Sequence, residues 1–379
     1  MAVNSWRRGS ASVLIAAACG GVTGCSRAEA LPAGWKTDCV GRMQIGLPGK
    51  VEVAALAQEE FQKYATGTGY AYPIAKFPDG QRAFSSSLSF MGLIVISHPV
   101  DDVARKRFLL AAEQAKTDDA KTLKDRHGVN VLGDPATFES LPIAKQKALA
   151  WRMGPIYSAY IEIGQSGLSW GISSRPARLP ALEEYYQTLI DGVSARPLYT
   201  VPSEPGVCLP YAFIRDDGKH GRKINMTYRV QDHPDITIWL EDHGASRVDN
   251  TRISDHDIAI RRSDNFWIQR YAGGRFLLRS LWSSDYKKVK LPAGKGVESF
   301  VAIKREDGTE DYGYLLTIRG APDAKEDRPD LMMYVIRNAA NAKSKGIEPV
   351  SQEQVLEMGR AVAASIRHRV EGVDETPSK

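Results

Sequence analysis

The segment 197–206, PLYTVPSEPG, carries three prolines and a glycine. A run like this stays extended, because proline fixes its own φ and pushes its predecessor out of the helical region. It divides the chain into two stretches that open and close alike. The first opens Cys39-Val40-Gly41-Arg42-Met43 and closes Val193-Ser194-Ala195-Arg196. The second opens Gly206-Val207-Cys208-Leu209-Pro210 and closes Ala364-Ser365-Ile366-Arg367. Two copies of one module would explain the likeness, and chance is the alternative. Either way the chain exceeds the size at which one core usually stops growing, so two domains are expected.

Periodicity gives each stretch strands and a closing helix. Strands are expected at 43–47, 85–97 with a bend at Gly92, and 156–173. In the second stretch they fall at 207–214, 224–230, 234–240, 265–279, 297–304, 312–318 and 331–337. Helices are expected at 100–117, 135–151, 181–193 and 352–367. The segment 51–66 fits strand or helix. The pattern is α+β: two domains, each a largely antiparallel sheet packed with helices, related by duplication if the shared ends are more than chance.

The N-terminus dictates where this folding takes place. Arg7 and Arg8 precede a charge-free run, 11–24, that ends in Val22-Thr23-Gly24-Cys25. A positive start, a short apolar run and small residues at the cut describe a secretory signal. The run is too short for a membrane span, which takes about 20 residues. Residues 22–25 resemble the lipobox of bacterial lipoproteins. That resemblance implies cleavage before Cys25, a diacylglyceryl group on its thiol, an acyl chain such as palmitate on its amine, and a membrane anchor. Ser26 after it fits sorting to the outer membrane. A plain secretory signal with a chance cysteine is the competing reading. The expected layout is 1–24 signal peptide, 25–37 lipidated tether, 38–198 N-terminal domain and 199–379 C-terminal domain.

Export changes the cysteine count. Of Cys19, Cys25, Cys39 and Cys208, the first leaves with the signal and the second is taken by lipid. Cys39 and Cys208 remain in an oxidising compartment, where a disulfide persists. Two buried free thiols are the alternative.

Charge and motifs remove several function classes. The formal net charge of +5 falls to +3 without Arg7 and Arg8. No basic stripe interleaved with aromatics occurs, so nucleic acid is not an expected partner. Lys287-Lys288-Val289-Lys290 reads as solvated surface, or as a contact for an acidic partner or anionic lipid. Gly167-Leu168-Ser169-Trp170-Gly171 matches the G-x-S-x-G elbow of serine hydrolases. His233, His243 and His256, each beside an aspartate, supply candidate partners for Ser169. Pro176 and Pro180 follow, however, where a long supporting helix is required. No catalytic set, metal-ligand spacing or cofactor fingerprint emerges. Tyr157, Tyr160, Trp170, Tyr185, Tyr186, Trp239, Trp267 and Trp282 belong mainly to cores, with some available for a contact surface.

Cys39-Val40-Gly41-Arg42 with Ile45-Gly46-Leu47-Pro48 resembles the opening of the two-domain immunity proteins against type VI secreted lipases. Pro205-Gly206-Val207-Cys208, His233-Pro234-Asp235-Ile236-Thr237-Ile238 and Ala364-Ser365-Ile366-Arg367-His368-Arg369 resemble their C-terminal domain. The resemblance implies a non-enzymatic, cofactor-free protein on the periplasmic side of the envelope. Its partner would be a cognate phospholipase effector, which it binds and blocks sterically. An envelope adaptor lipoprotein is the alternative, and a tethered esterase using Ser169 a further one.

Overall fold

Among the described residues, fourteen strands lie in one antiparallel sheet. The computed structural model describes residues 31–65, 73–83, 88–133, 135–144, 147–174, 178–245, 253–271, 278–279, 286–305 and 308–369. In the N-terminal half, a hairpin of β1 (Lys36–Val40) and β2 (Met43–Leu47) leads to β3 (Val51–Val53) and α1 (Gln58–Ala65). A second hairpin, β4 (Leu88–Phe90) and β5 (Leu93–Ile96), precedes α2 (Asp102–Asp125). A meander follows: β6 (Phe138–Ser140), β7 (Ala148–Met153), β8 (Ile156–Ile163) and β9 (Ser166–Ser173). The half closes with α3 (Leu179–Gly192) and β10 (Val193–Ala195).

The C-terminal half repeats this plan. Hairpin β11 (Gly206–Leu209) and β12 (Ala212–Arg215) is followed by β13 (Arg222–Val230) and β14 (Ile236–His243). Next come α4 (Asp255–Asn265), which runs into a π-helical turn (Phe266–Tyr271), and the short strand β15 (Leu278–Arg279). The meander is β16 (Lys287–Leu291), β17 (Gly294–Lys304), β18 (Glu310–Ile318) and β19 (Asp330–Arg337). It closes with α5 (Ala339–Lys345), α6 (Gln352–Ser365) and β20 (Arg367–His368).

The fold is two α+β domains, each a largely antiparallel sheet packed against helices. The C-terminal sheet runs β17-β18-β19-β14-β13 and the N-terminal sheet runs β4-β5-β9-β8-β7. They join edge to edge where Arg222–Ile224 of β13 pairs with Leu88–Phe90 of β4. The order is therefore a palindrome about that seam, as two copies of one module would produce. The opening hairpins carry the symmetry further. β10, at the end of the N-terminal half, pairs with β12. β20, at the end of the C-terminal half, pairs with β2. Each hairpin is thus completed by the last strand of the other half. The match reaches single bonds: Arg196 N–H donates to the Tyr211 carbonyl (3.0 Å) and Arg369 N–H to the Arg42 carbonyl (3.1 Å).

One core occupies the inner face of the sheet beneath the hairpins, α3 and α6, and includes Met43, Ile45, Trp170, Leu189, Val207, Ile238, Tyr314 and Val362. Gly41 is required where the first hairpin turns. Its φ is +56°, and a Cβ there would collide with the Asp242 carboxylate.

Two expectations change and two are sharpened. The 135–151 stretch holds β6 and β7 instead of a helix. Its alternation places Ala150 and the flanking residues on opposite faces, and Pro142 breaks any helix. In the 265–279 stretch the helix continues through the π-turn to Tyr271, and among the described residues only Leu278–Arg279 is strand. Ser254 caps α4 by accepting from the Asp257 amide, and Asp255 and Asp257 suit its first turn. The 51–66 stretch holds both β3 and α1, separated at Ala54–Ala57. Finally, β1 takes in Lys36 and Thr37 from the end of the expected tether.

Candidate partner-binding surfaces

Two buried ionic clusters fix the hairpins in place. Asp38 is wholly buried and accepts from Arg196 Nη1 (2.5 Å), the Tyr199 amide (3.1 Å) and the Tyr228 hydroxyl (2.8 Å). Burial and the Asp38 charge push the Tyr228 hydroxyl well above its ordinary pKa, so it stays a donor. Asp242 accepts from the Arg42 amide (2.7 Å) and Arg222 Nε (2.6 Å). Arg222 also reaches Asp327 (2.6 Å), and Arg42 reaches Asp216 (2.5 Å). Removing one partner of a buried pair costs about 3–5 kcal/mol, because the other charge is left bare. The structure also joins Cys39 to Cys208 by a disulfide, with Cα atoms 5.8 Å apart. The two opening hairpins are thus tied to each other by a covalent bond, and the first is tied to the sheet by hydrogen bonds at Asp38 and Asp242.

The outer face of the sheet differs between halves. In the C-terminal half α4 and its π-turn lay Phe266 and Trp267 over Trp239, Leu315, Met332 and Tyr334. The Trp239 and Tyr334 rings stack at 5.4 Å, and Trp267 Nε1 donates to Ser299 Oγ (3.0 Å). In the N-terminal half, among the described residues, α1 and α2 cover one band, where Phe61 and Phe108 meet Val95 and Tyr160. Beyond that band lies an open groove of about 360 Å³, floored by Ser158, Ser169, Gly171 and Ser173 with Trp151 and Tyr64 at its sides. Asp119 enters the groove and accepts from Trp151 Nε1 (2.7 Å). Burial pushes the Asp119 carboxyl above its usual range, against the pull of that hydrogen bond.

A larger cleft, about 1180 Å³, opens in the C-terminal half between the β16–β17 hairpin, the start of α4 and the 319–329 loop. Val289, Leu291, Ala293, Ile318 and Pro329 contribute apolar lining, with Val289 and Leu291 on the face of β16 that packs on the core. Lys288, Lys290 and Lys295 stand in its wall. These lysines include two of the four residues of the Lys287–Lys290 cluster, and that cluster is the exposed strand β16.

The motif residues take structural places. Ser169 lies in mid-strand in β9, paired with Val95 and Tyr160, and the strand continues to Ser173. No strand-to-helix turn lifts its hydroxyl, and among the described residues no hydrogen bond joins it to a histidine or carboxylate. His233 is in an exposed turn, His243 ends β14 and His256 is in the first turn of α4. Burial lowers the His243 pKa. Asp216, Asp217 and His220 bring ligand atoms within 4.8 Å of one another. Arg42 and Lys219 already occupy the two carboxylates, at 2.5 Å and 2.9 Å. Tyr157, Tyr160, Trp170, Tyr186, Trp239 and Trp267 are core residues, so a contact surface must be built from other side chains. Cys25 and Trp282 lie outside the described residues. The groove and the cleft were both missed, because each depends on strand register.

With this geometry in view, residues 200–371 match the family model described as the Tle cognate immunity protein 4 C-terminal domain. The fold recurs in solved structures. One is the apo immunity protein TplEi of the T6SS of Pseudomonas aeruginosa, at TM-score 0.57, 15% identity, and 90% of this chain against 99% of that one. Another is the Tle4–Tli4 complex, at 0.58, 15%, 89% and 99%. A third is TplEi of P. aeruginosa with a peptide termed L, at 0.54, 16%, 89% and 99%. No curated protein matches the chain.

Proposed function

We propose that this chain is an immunity lipoprotein that binds a type VI secreted lipase effector and inhibits it sterically. The observation that carries the reading is the match of residues 200–371 to an immunity-protein domain, within a fold shared over 89–90% of the chain with solved immunity-protein structures. The disulfide and the buried ion pairs support it. They make a body whose surfaces are set before a partner arrives, which limits the ordering cost of binding. Inhibition needs no catalytic group and no cofactor of its own. It needs an interface of roughly 1,000 Å² or more over the effector's substrate entry.

The layout that goes with this function has residues 1–24 removed as signal and the 25–37 tether running into β1 at Lys36. The modules are 38–198 and 199–379. Lipid on Cys25 holds the chain on the periplasmic side of the envelope, in the outer membrane, where a delivered phospholipase would attack. Two or more acyl chains suffice for stable anchoring.

The test is inhibition of the phospholipase encoded beside this chain's gene. Phospholipid hydrolysis should fall in proportion to added chain and stop near stoichiometric ratio. An unchanged rate at excess chain sinks the reading. Cys25→Ser should abolish acylation, and continued lipid labelling of that variant refutes the anchor.

A further inference from the structure

We infer that the lysine-walled cleft beside α4 receives an acidic, projecting peptide segment of the protein partner. This rests on the immunity reading for the partner's identity, though not for the chemistry of the cleft. The first observation is cross-strand register. Lys290 stands directly opposite Lys295 in the β16–β17 pair. Like charges in that position destabilise a sheet. Among the described residues, neither they nor Lys288 has a carboxylate partner.

The second observation is the surrounding charge. The cleft's acids do not relieve these lysines. Asp327 is held by Arg222 at 2.6 Å, and Glu326 faces Arg328 at 3.8 Å. Asp255 is in the first turn of α4, where the helix dipole favours it. Lysines on an edge strand commonly serve only to block edge-to-edge pairing. Lys287 fits that role: it is opposite Glu298 and is not part of the cleft wall. Edge protection does not call for two lysines facing each other across a hairpin at the wall of a cleft. The concavity also selects the partner. A flat bilayer cannot enter a cleft of about 1180 Å³, whereas a loop bearing Asp or Glu beside an apolar side chain can.

The decisive variant is Lys290→Glu in the mature chain. It replaces a repulsive pair with an attractive one, so its melting temperature should rise. Its association rate with the lipase encoded beside the gene should nevertheless fall about tenfold at low salt, with a flatter salt dependence. A purely structural role would move stability and binding together. Two further probes read the cleft directly: fluorescent hexaglutamate and phosphatidylglycerol vesicles. Wild-type chain should bind the peptide, and Lys288→Glu/Lys290→Glu/Lys295→Glu should lose it. If the peptide binds this way but the lipase does not, the cleft assignment stands and the immunity reading falls. An unchanged on-rate with the lipase overturns the inference, as does wild-type chain that ignores the peptide. Binding to the vesicles without the peptide overturns it in favour of a membrane contact.

Discussion

Trp267 lies against Gly313 on the outer face of the C-terminal sheet, so closely that a Cβ on that glycine would sit 2.5 Å from the ring. On the outer face of the N-terminal sheet, a Cβ on Gly171 would meet, among the described residues, nothing nearer than the Tyr157 carbonyl at 3.8 Å. One strand order thus serves two ends. The C-terminal half uses its outer face for stability and carries its concavity at the β16–β17 hairpin. The N-terminal half leaves part of the same face open. Duplicated modules need not keep the same surface once their hairpins are completed by each other, because the shared inner core then supplies stability to both.

The sharpest way to break this comparison is to remove the aromatic cover. Trp267→Ala should cost about 3–5 kcal/mol in urea unfolding, the range for a buried tryptophan. A cost below about 1 kcal/mol would mean that the C-terminal face is no better closed than the N-terminal one. Next comes the covalent tie between the hairpins, which spans 169 residues of sequence. Cys39→Ala with Cys208→Ala should lower stability by about 2–5 kcal/mol. If the halves were joined only by their linker, the loss would be near zero.

How far the sequence reaches is visible in these same residues. The period of 100–117 located α2, although the helix runs on to Asp125. The short apolar runs in 312–318 and 331–337 located β18 and β19. The α4 extension was misread because Phe266, Trp267 and Ile268 have strand propensity. The burial of Phe266 and Trp267 on a sheet face, a tertiary fact, holds the segment helical, while Ile268 stays exposed. The Ser254 cap three residues before Asp257 was the available signal. Lys290 and Lys295 are visible as charges in any reading, but their opposition exists only once Pro292-Ala293 is known to turn the hairpin. Ser158, Ser169 and Gly171 likewise mean nothing together until register aligns them. The G-x-S-x-G pattern drew attention to Ser169 and Gly171 for the wrong reason: they are small where the groove has its floor.

The two glycines give the finest test of the difference. Gly313→Ala forces its methyl into Trp267, with ring atoms at 2.5 and 2.9 Å and Ile336 at 3.3 Å. The packed ring cannot yield freely, so overpacking should cost about 1–3 kcal/mol. Gly171→Ala places its methyl in the groove at ordinary contact distance. Gly171 is not among the positive-φ glycines, so alanine fits its backbone. There the dominant effect is on the unfolded chain, which loses conformational freedom when glycine is replaced. That should stabilise by about 0.4–1 kcal/mol. Opposite signs from one substitution at two outer-face strand positions, read from urea midpoints, would establish that one face is closed and the other open. A matching loss at both would show that the N-terminal groove is filled in solution, and the asymmetry between the halves would then lie only in the β16–β17 hairpin.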